Sequence, residues 1–279
     1  MTLVVAGRKK QKTLNSIIFY VILAIVFTPF VFVFFYMVTT SLKSPLDVSN
    51  IDALWVFTPT LDNYTQVLER TDFVRYTINS LVVGLGSVGL AVLIGVPAAY
   101  AIARYTAPRT AMFVLLARVT PGITFLIPWF IILAGLRWVD SFQGLILAHL
   151  LVTLPMVTWL MIGFFEEIPG EIVDSAKVDG ASTMRTLLSV VLPMTRGGLA
   201  AASILAFIFS WNHFMFSVVL AGRNTRTLPV AVFEFMSYGQ VDWGAICAAA
   251  TLMTLPVIAI AALVQRQIVQ GLAGGAVKG

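Results

Sequence analysis

Six stretches of the chain run for 18 to 30 residues without one charged side chain. They lie between Lys12 and Lys43, Arg75 and Arg104, Arg118 and Arg137, Asp140 and Glu166, Arg196 and Arg223, and Asp242 and Arg266. A helix needs about 20 apolar residues to cross the hydrocarbon core. The runs therefore predict six membrane spans, near 15–41, 77–103, 111–136, 144–165, 197–220 and 244–265. Composition agrees: 59% of residues are hydrophobic and 11% charged, where a soluble domain carries about a quarter charged. A soluble enzyme, a nucleic-acid-binding domain and a disordered chain are excluded on these grounds. The expected fold is an all-α polytopic membrane protein of six transmembrane helices.

Six crossings put both termini on one side. With the termini inside, eleven basic residues fall on inside segments: Arg8, Lys9, Lys10, Lys12, Arg104, Arg109, Lys177, Arg185, Arg196, Arg266 and Lys278. Six fall outside: Lys43, Arg70, Arg75, Arg137, Arg223 and Arg226. The positive-inside rule then predicts N-in and C-in. The first run is too long for a signal-peptide core and lacks a small-residue cleavage site, so it reads as a retained anchor. The chain divides into 1–75 (tail, first span and outer loop), 76–266 (the core) and 267–279 (a glycine-rich tail, expected to be flexible). The outer loop 43–75, with Pro45, Pro59 and several aromatics, is expected to be partly structured, and 104–110 to turn tightly around Pro108.

The large inside segment, 166–196, differs in composition from everything around it. Pro169 suits a helix start, and Glu171 and Asp174 favour the N-terminal end of a helix dipole. Asp179-Gly180 breaks that helix, glycine supplying a left-handed turn. Ser182 can cap a second helix, with Met184, Leu187, Leu188 and Val191 expected on one face and Leu192-Pro193 at its end. The residues describe a helix, a sharp glycine turn and a helix at the membrane surface. By pattern alone this is an interfacial amphipathic hairpin joining two spans.

The residue identities say more. Asp174-Ser175-Ala176, then Asp179-Gly180-Ala181, then Val190-Val191-Leu192-Pro193 resembles the EAA loop of ABC-importer permeases. Asp replaces that family's Glu and Ser its first Ala, while Gly180 keeps its place. Asn79-Ser80, Ala98 to Arg104, Trp211-Asn212 and the ending Gly271 to Gly279 extend the resemblance towards maltose-type carbohydrate permeases. The resemblance implies a permease subunit of a binding-protein-dependent importer for a sugar or polyol in a bacterial inner membrane. It implies a second permease, two ATP-binding subunits that hold ATP and Mg, and an extracytoplasmic solute-binding protein as partners, with the lipid bilayer around them. Glu171, Asp174, Ser175, Ala176, Asp179, Gly180, Leu192 and Pro193 would form the ATPase-coupling loop. Gly274, Gly275 and Lys278 would reach between the ATP-binding subunits.

Other features weigh less. Gly84-Leu85-Gly86-Ser87-Val88-Gly89 matches GxGxxG but lies inside a charge-free run, where small residues serve close helix approach rather than a dinucleotide. No GxxxxGK[ST] occurs, so ATP hydrolysis is expected in a separate subunit. No catalytic, cofactor-binding or metal-binding residue is assigned, and Cys247 reads as a small apolar group. His149 and His213 read as hydrogen-bonded helix-packing residues. Arg118, the one Asp, Glu, Lys or Arg within a predicted span, either belongs to a pathway or snorkels to headgroups. Trp129, His149, Trp159 and Asn212 join Arg118 as possible path-lining residues. The rivals are an ion-coupled secondary transporter or channel, which predicts paired intramembrane acids or His chains, and a membrane enzyme, which needs a nucleophile–base set or metal site. Apart from Arg118, with His149 and His213 in different spans, the sequence offers no such pattern.

Overall fold

A computed structural model describes residues 2–237 and 240–276. They form fourteen α-helices with short 3-10 and π segments and one two-residue antiparallel pairing, Met236–Ser237 (β1) with Gln240–Val241 (β2). Four helices are long and apolar enough to cross a membrane, over Asn15–Ser41, Phe73–Arg104, Phe142–Glu166 and Trp243–Ala262. Two pairs of shorter helices, Pro108–Val119 with Gly122–Gly135 and Thr183–Met194 with Arg196–Trp211, bend sharply at a short break, and counting each pair as one span gives up to six.

The third predicted span is not one straight helix. It consists of α5 (Pro108–Val119) and, after a 3-10 turn at Gly122–Phe125, α6 (Leu126–Gly135), bent by 89°. Pro121 at the junction has no N–H to give the preceding turn, and its ring restricts Thr120 to extended backbone (ψ 126°). The fifth span is also broken: α11 (Arg196–Trp211) stops at Asn212, and α12 (Met215–Leu220) resumes after Phe214. Pro97 and Pro155, by contrast, sit inside the unbroken α4 (Phe73–Arg104) and α7 (Phe142–Glu166). Neighbouring helices can accommodate the backbone groups that such prolines free.

The chain forms two compact units, and chain order does not divide them. One is Met1–Glu69 with Phe235–Thr251, the other Arg70–Glu234 with Leu252–Gly279. In the first, α1 (Thr2–Ser41) exposes its apolar window on all sides, as suits a helix facing lipid or another subunit. The outer loop is structured, as expected, by α2 (Pro45–Ser49), a 3-10 turn and α3 (Asp62–Arg70). The amide of buried Asn63 donates to the carbonyls of Ser41 (2.9 Å) and Lys43 (2.8 Å), fixing α3 to the end of α1.

The second unit is built on α4, α7 and α11, with small residues at their contacts. Ala91, Ala99, Ala148, Ala202 and Ala206 are fully buried. Such residues let backbones approach where no water-driven collapse operates. Two of the GxGxxG glycines serve this purpose. A Cβ on Gly84 would lie 2.9 Å from the Phe207 ring of α11, and one on Gly86 2.7 Å from Ile146 of α7. Nothing lies within 4 Å of the same position on Gly89. Gly84→Ala should therefore lower stability by about 1–2 kcal/mol through overpacking. Gly89→Ala should raise it by up to about 1 kcal/mol through helix propensity. Opposite shifts of the heat-unfolding midpoint in detergent are the expected result, and equal shifts would remove the packing explanation.

Candidate functional site

The segment between α7 and α11 forms the predicted hairpin. Pro169 (ψ 132°) precedes α8 (Gly170–Val178) as its cap residue rather than its first helical one. Glu171 lies in the first turn and Lys177 in the last, both favourable to the helix dipole. Gly180 adopts φ +78°, and the Gly180 N–H donates to Lys177 O (2.9 Å) and that of Ala181 to Ala176 O (3.0 Å). These bonds satisfy carbonyls that the helix end would leave unpaired. Ser182 then caps α9 (Thr183–Thr186), its hydroxyl accepting from the Arg185 N–H at 3.3 Å.

Two details of the second arm differ from expectation. Leu187 and Val191 are buried, whereas Met184 and Leu188 are more than half exposed, so the four do not share one face. Each pair is four residues apart, and a π turn over Leu187–Val191 widens the helix between them. Nor does the arm end at Leu192-Pro193. It continues through α10 (Leu192–Met194), with Leu192 half-buried and Pro193 exposed, and turns by 84° into α11. The π turn falls immediately before Pro193, where an α-helix would suffer the clash of the proline ring with a carbonyl.

Val173 anchors α8, being 4% exposed, while Glu171, Asp174, Ser175, Asp179 and Gly180 are exposed and Ala176 is half-buried. The Ser175 hydroxyl donates to Glu171 O (2.9 Å) within the helix. The Asp174 carboxylate is paired with Arg104, the last residue of α4, and lies 3.7 Å from Lys177 Nζ. This pairing could not be read from the sequence, since the partners are 70 residues apart. Behind it lies a cavity of about 410 Å³ lined by Tyr100, Arg104, Phe165, Glu166, Val173 and Val191 among others. The hairpin thus presents acids and apolar groups outward (Val178 is 87% exposed) while an ion pair ties it to the end of a long span.

With Gly180 in the left-handed region and open space around it, a side chain there is opposed by backbone strain alone. Gly180→Val should cost on the order of 1–2 kcal/mol at the turn. We expect loss of transport from a protein that still inserts and expresses. Normal uptake at matched expression would show that the turn does not matter.

The five path-lining candidates are not brought together. Arg118 borders a cavity of about 280 Å³ whose lining includes none of the other four. His149 is 2% exposed and bonds Ser210 through Nδ1 (2.8 Å) and Ser217 through Nε2 (3.5 Å), which is a helix-packing role. Ser210 in turn meets Ser87 of α4 at 3.2 Å. Trp129 packs against the cluster of Val83, Leu133, Leu145 and Phe216, and Trp159 is half-buried on α7. Asn212 is exposed and its amide donates to Ile208 O (2.9 Å). His213, which the sequence places in a different span from His149, stands 5.3 Å from it between ring centres. Gly274 and Gly275 fall within α14 (Trp243–Ala276), whose helical backbone replaces the flexible tail expected there. Lys278 lies outside the described residues.

On the opposite side of the sequence-derived topology, a loop is gathered around one carboxylate. Asp140 (φ 56°) accepts from the backbone N–H groups of Gly222 (3.0 Å), Asn224 (3.2 Å) and Thr225 (3.1 Å). It also accepts from the Asn224 amide (3.0 Å) and the Thr225 hydroxyl (2.8 Å). Burial alone would raise its pKa, but the bonds from Thr225, Asn224 and Gly222 together outweigh that and hold the carboxyl below its usual range. Nearby, Arg226 pairs with Glu234, whose hydrogen bond raises the Arg226 pKa further.

An α-helical, multi-span chain with a capped surface hairpin and no phosphate-binding loop is of the class of transport permeases whose driving chemistry resides in another subunit. Residues 91–274 match the family of binding-protein-dependent transport system inner membrane components, and the chain belongs to that family. It is similar to the probable ABC transporter permease protein y4oR of Sinorhizobium fredii, 35% identical over 98% of each chain. It is also similar to the trehalose transport system permease protein SugB of Mycobacterium tuberculosis, 36% identical over 80% of this chain and 83% of that one. In fold it resembles a bacterial ABC transporter involved in the import of the acidic polysaccharide alginate. The TM-score is 0.71 over 91% of this chain and 94% of that one, at 20% identity. The chain is therefore a multi-pass inner-membrane permease of an ABC importer, not itself an ATPase, and works with ATP-binding and permease partner subunits.

Proposed function

We propose that this permease imports a sugar or related polyol delivered by a solute-binding protein, with α8 as the helix that receives motion from one of two ATP-binding subunits. The single observation that carries the coupling role is the hairpin itself. Its inner face is anchored by Val173, Leu187 and Val191, while Val178, Met184 and Leu188 stand exposed beside Glu171, Asp174 and Asp179. An exposed apolar patch rimmed by charge is the usual mark of a protein contact. The sugar assignment is supported by relatives named for trehalose, for trehalose and maltose, and for diacetylchitobiose. In this reading both termini and the hairpin are cytoplasmic, and the Asp140 loop faces the solute-binding protein. Gly274, Gly275 and Lys278 then contact the ATP-binding subunits.

The test is reconstitution of the assembled transporter in vesicles with its solute-binding protein, followed by uptake of labelled trehalose, maltose and diacetylchitobiose. Uptake of at least one of them should require both ATP and the binding protein. Uptake driven by a proton or sodium gradient without ATP would replace this reading with the secondary-transporter one.

A further inference from the structure

We infer that the cavity beside Arg118 is a subsite for an acidic sugar, one whose carboxylate meets the guanidinium while its ring stacks on aromatic side chains. The inference deepens the sugar-permease reading above and rests on it.

Three independent features converge there. The first is backbone. The break between α5 and α6 and the break between α11 and α12 are two interruptions in the predicted spans, and they meet: the Cβ position of Gly122 lies 3.7 Å from His213 Nε2 and 4.0 Å from Phe216 Cζ. Non-helical backbone at membrane depth is tolerated only where it is buried in protein or lines a cavity, and broken helices are the common way in which transporters build a binding site.

The second is charge. Arg118 ends α5 and lines the cavity, together with Thr120, Phe125, Met156, Phe209 and His213. No acidic residue lines this cavity, and among the described residues no carboxylate forms an ion pair with Arg118. An intramembrane cation without a counter-ion is costly and persists where function requires it. A guanidinium offers paired N–H groups in the geometry of a carboxylate. Arg118 is exposed, so its guanidinium is open to an incoming group, and in this proposal a ligand carboxylate supplies the counter-charge.

The third is the shape of the wall. Phe125 and Phe209 supply apolar faces suited to the C–H side of a sugar ring, and the Thr120 hydroxyl, which donates to Leu116 O at 2.7 Å, keeps its lone pairs for a ligand hydroxyl. His213 stacks on Phe216 (ring centres 4.7 Å apart, 12° between planes), and its buried Nδ1 has no hydrogen-bond partner. The ring therefore has a bond to gain by turning towards a bound group. At about 280 Å³ the cavity approaches the size of ordinary small-ligand sites.

The probe is D-glucuronate, with D-glucose as its uncharged counterpart. Each is labelled and titrated onto the assembled transporter in phosphatidylcholine nanodiscs. We expect saturable glucuronate binding, with glucose at least tenfold weaker. Arg118→Gln should weaken glucuronate at least tenfold, and Arg118→Lys, which keeps the charge but not the fork, by less. Equal binding of the two sugars, absence of saturable glucuronate binding, or glucuronate binding that survives Arg118→Gln would each overturn the subsite. So would loss of glucuronate binding when part of the lipid is replaced by phosphatidylglycerol, which would assign the cavity to an anionic headgroup. Recovery of the ATP-binding subunit with the wild-type permease is scored in the same preparations. Its absence would count against the permease assembly, whereas its presence with no glucuronate binding would remove the subsite alone.

Discussion

Asp140→Ala should be among the most destabilising single substitutions in this chain, lowering stability by about 2–4 kcal/mol. Five donors from Gly222, Asn224 and Thr225 converge on its carboxylate. Removing the acceptor strands them together, and hydrogen bonds to a charged group contribute about 1.5–3 kcal/mol each before non-additivity and solvent exposure reduce the sum. Asp140→Asn should cost less than Ala, because one carbonyl oxygen survives, but its new N–H₂ would face donors. A second route tests the same contact. A Cβ on Gly222 would lie 2.6 Å from the Asp140 carboxyl group and 2.9 Å from Asp140 Cβ, so Gly222→Ala should destabilise wild type, and Asp140→Ala, which keeps that Cβ, should relieve only part of the cost. The pH dependence has a definite sign. The folded carboxyl titrates below its usual value, so its stabilisation is complete above about pH 4 and is lost as pH falls through the lower folded value. Heat unfolding in detergent should separate wild type from Asp140→Ala at neutral pH and bring them together in acid. A constant gap down to strong acid would show that the carboxylate charge is not the source.

The multi-span, all-α character was legible because an uninterrupted apolar run has few alternatives in a membrane. Direction within a run was not. Pro121 and Pro155 look alike in sequence, yet the chain turns by 89° at the first and passes straight through the second. Pro155 lies in α7, which α4 and α11 enclose, whereas Pro121 is followed by Gly122 in a 3-10 turn that meets a second helix break. Local sequence records the proline but not the neighbours that re-satisfy the backbone. The hairpin was legible for the opposite reason: its turn is set by residues acting within three or four positions of themselves, Gly180 by its φ and Ser182 by its cap. Its facing was misjudged, since a single helical period assigned to one side four residues that a π turn divides between two. Contacts made at long sequence separation, such as Arg104 with Asp174 and His149 with His213, leave no local mark.

That hidden pair carries the largest functional effect we expect. Asp174→Lys and Arg104→Glu should each uncouple ATP hydrolysis from uptake, while the combined exchange Arg104→Asp with Asp174→Arg restores part of it. The reasoning starts from how little the pair contributes to stability. The Asp174 side chain is 61% exposed and that of Arg104 27%, and an ion pair so placed contributes at most about 1 kcal/mol. Neither single variant should therefore shift the unfolding midpoint much. What the pair does supply is a lateral link between α8 and the end of α4, a helix that runs from Phe73 to Arg104 beside α7. A helix driven by a partner subunit moves the bundle only through its attachments, here Val173, its two chain connections and this ion pair. With like charges at the junction, α8 can shift without taking α4 along, and hydrolysis proceeds without import. Asp174→Glu keeps the charge and should be tolerated. The measurement is substrate imported per ATP hydrolysed in reconstituted vesicles, alongside recovery of the ATP-binding subunit. A normal ratio in Asp174→Lys, or a reduced one explained wholly by lost ATP-binding subunit, would show that the carboxylate serves the partner interface and that its bond to Arg104 is incidental.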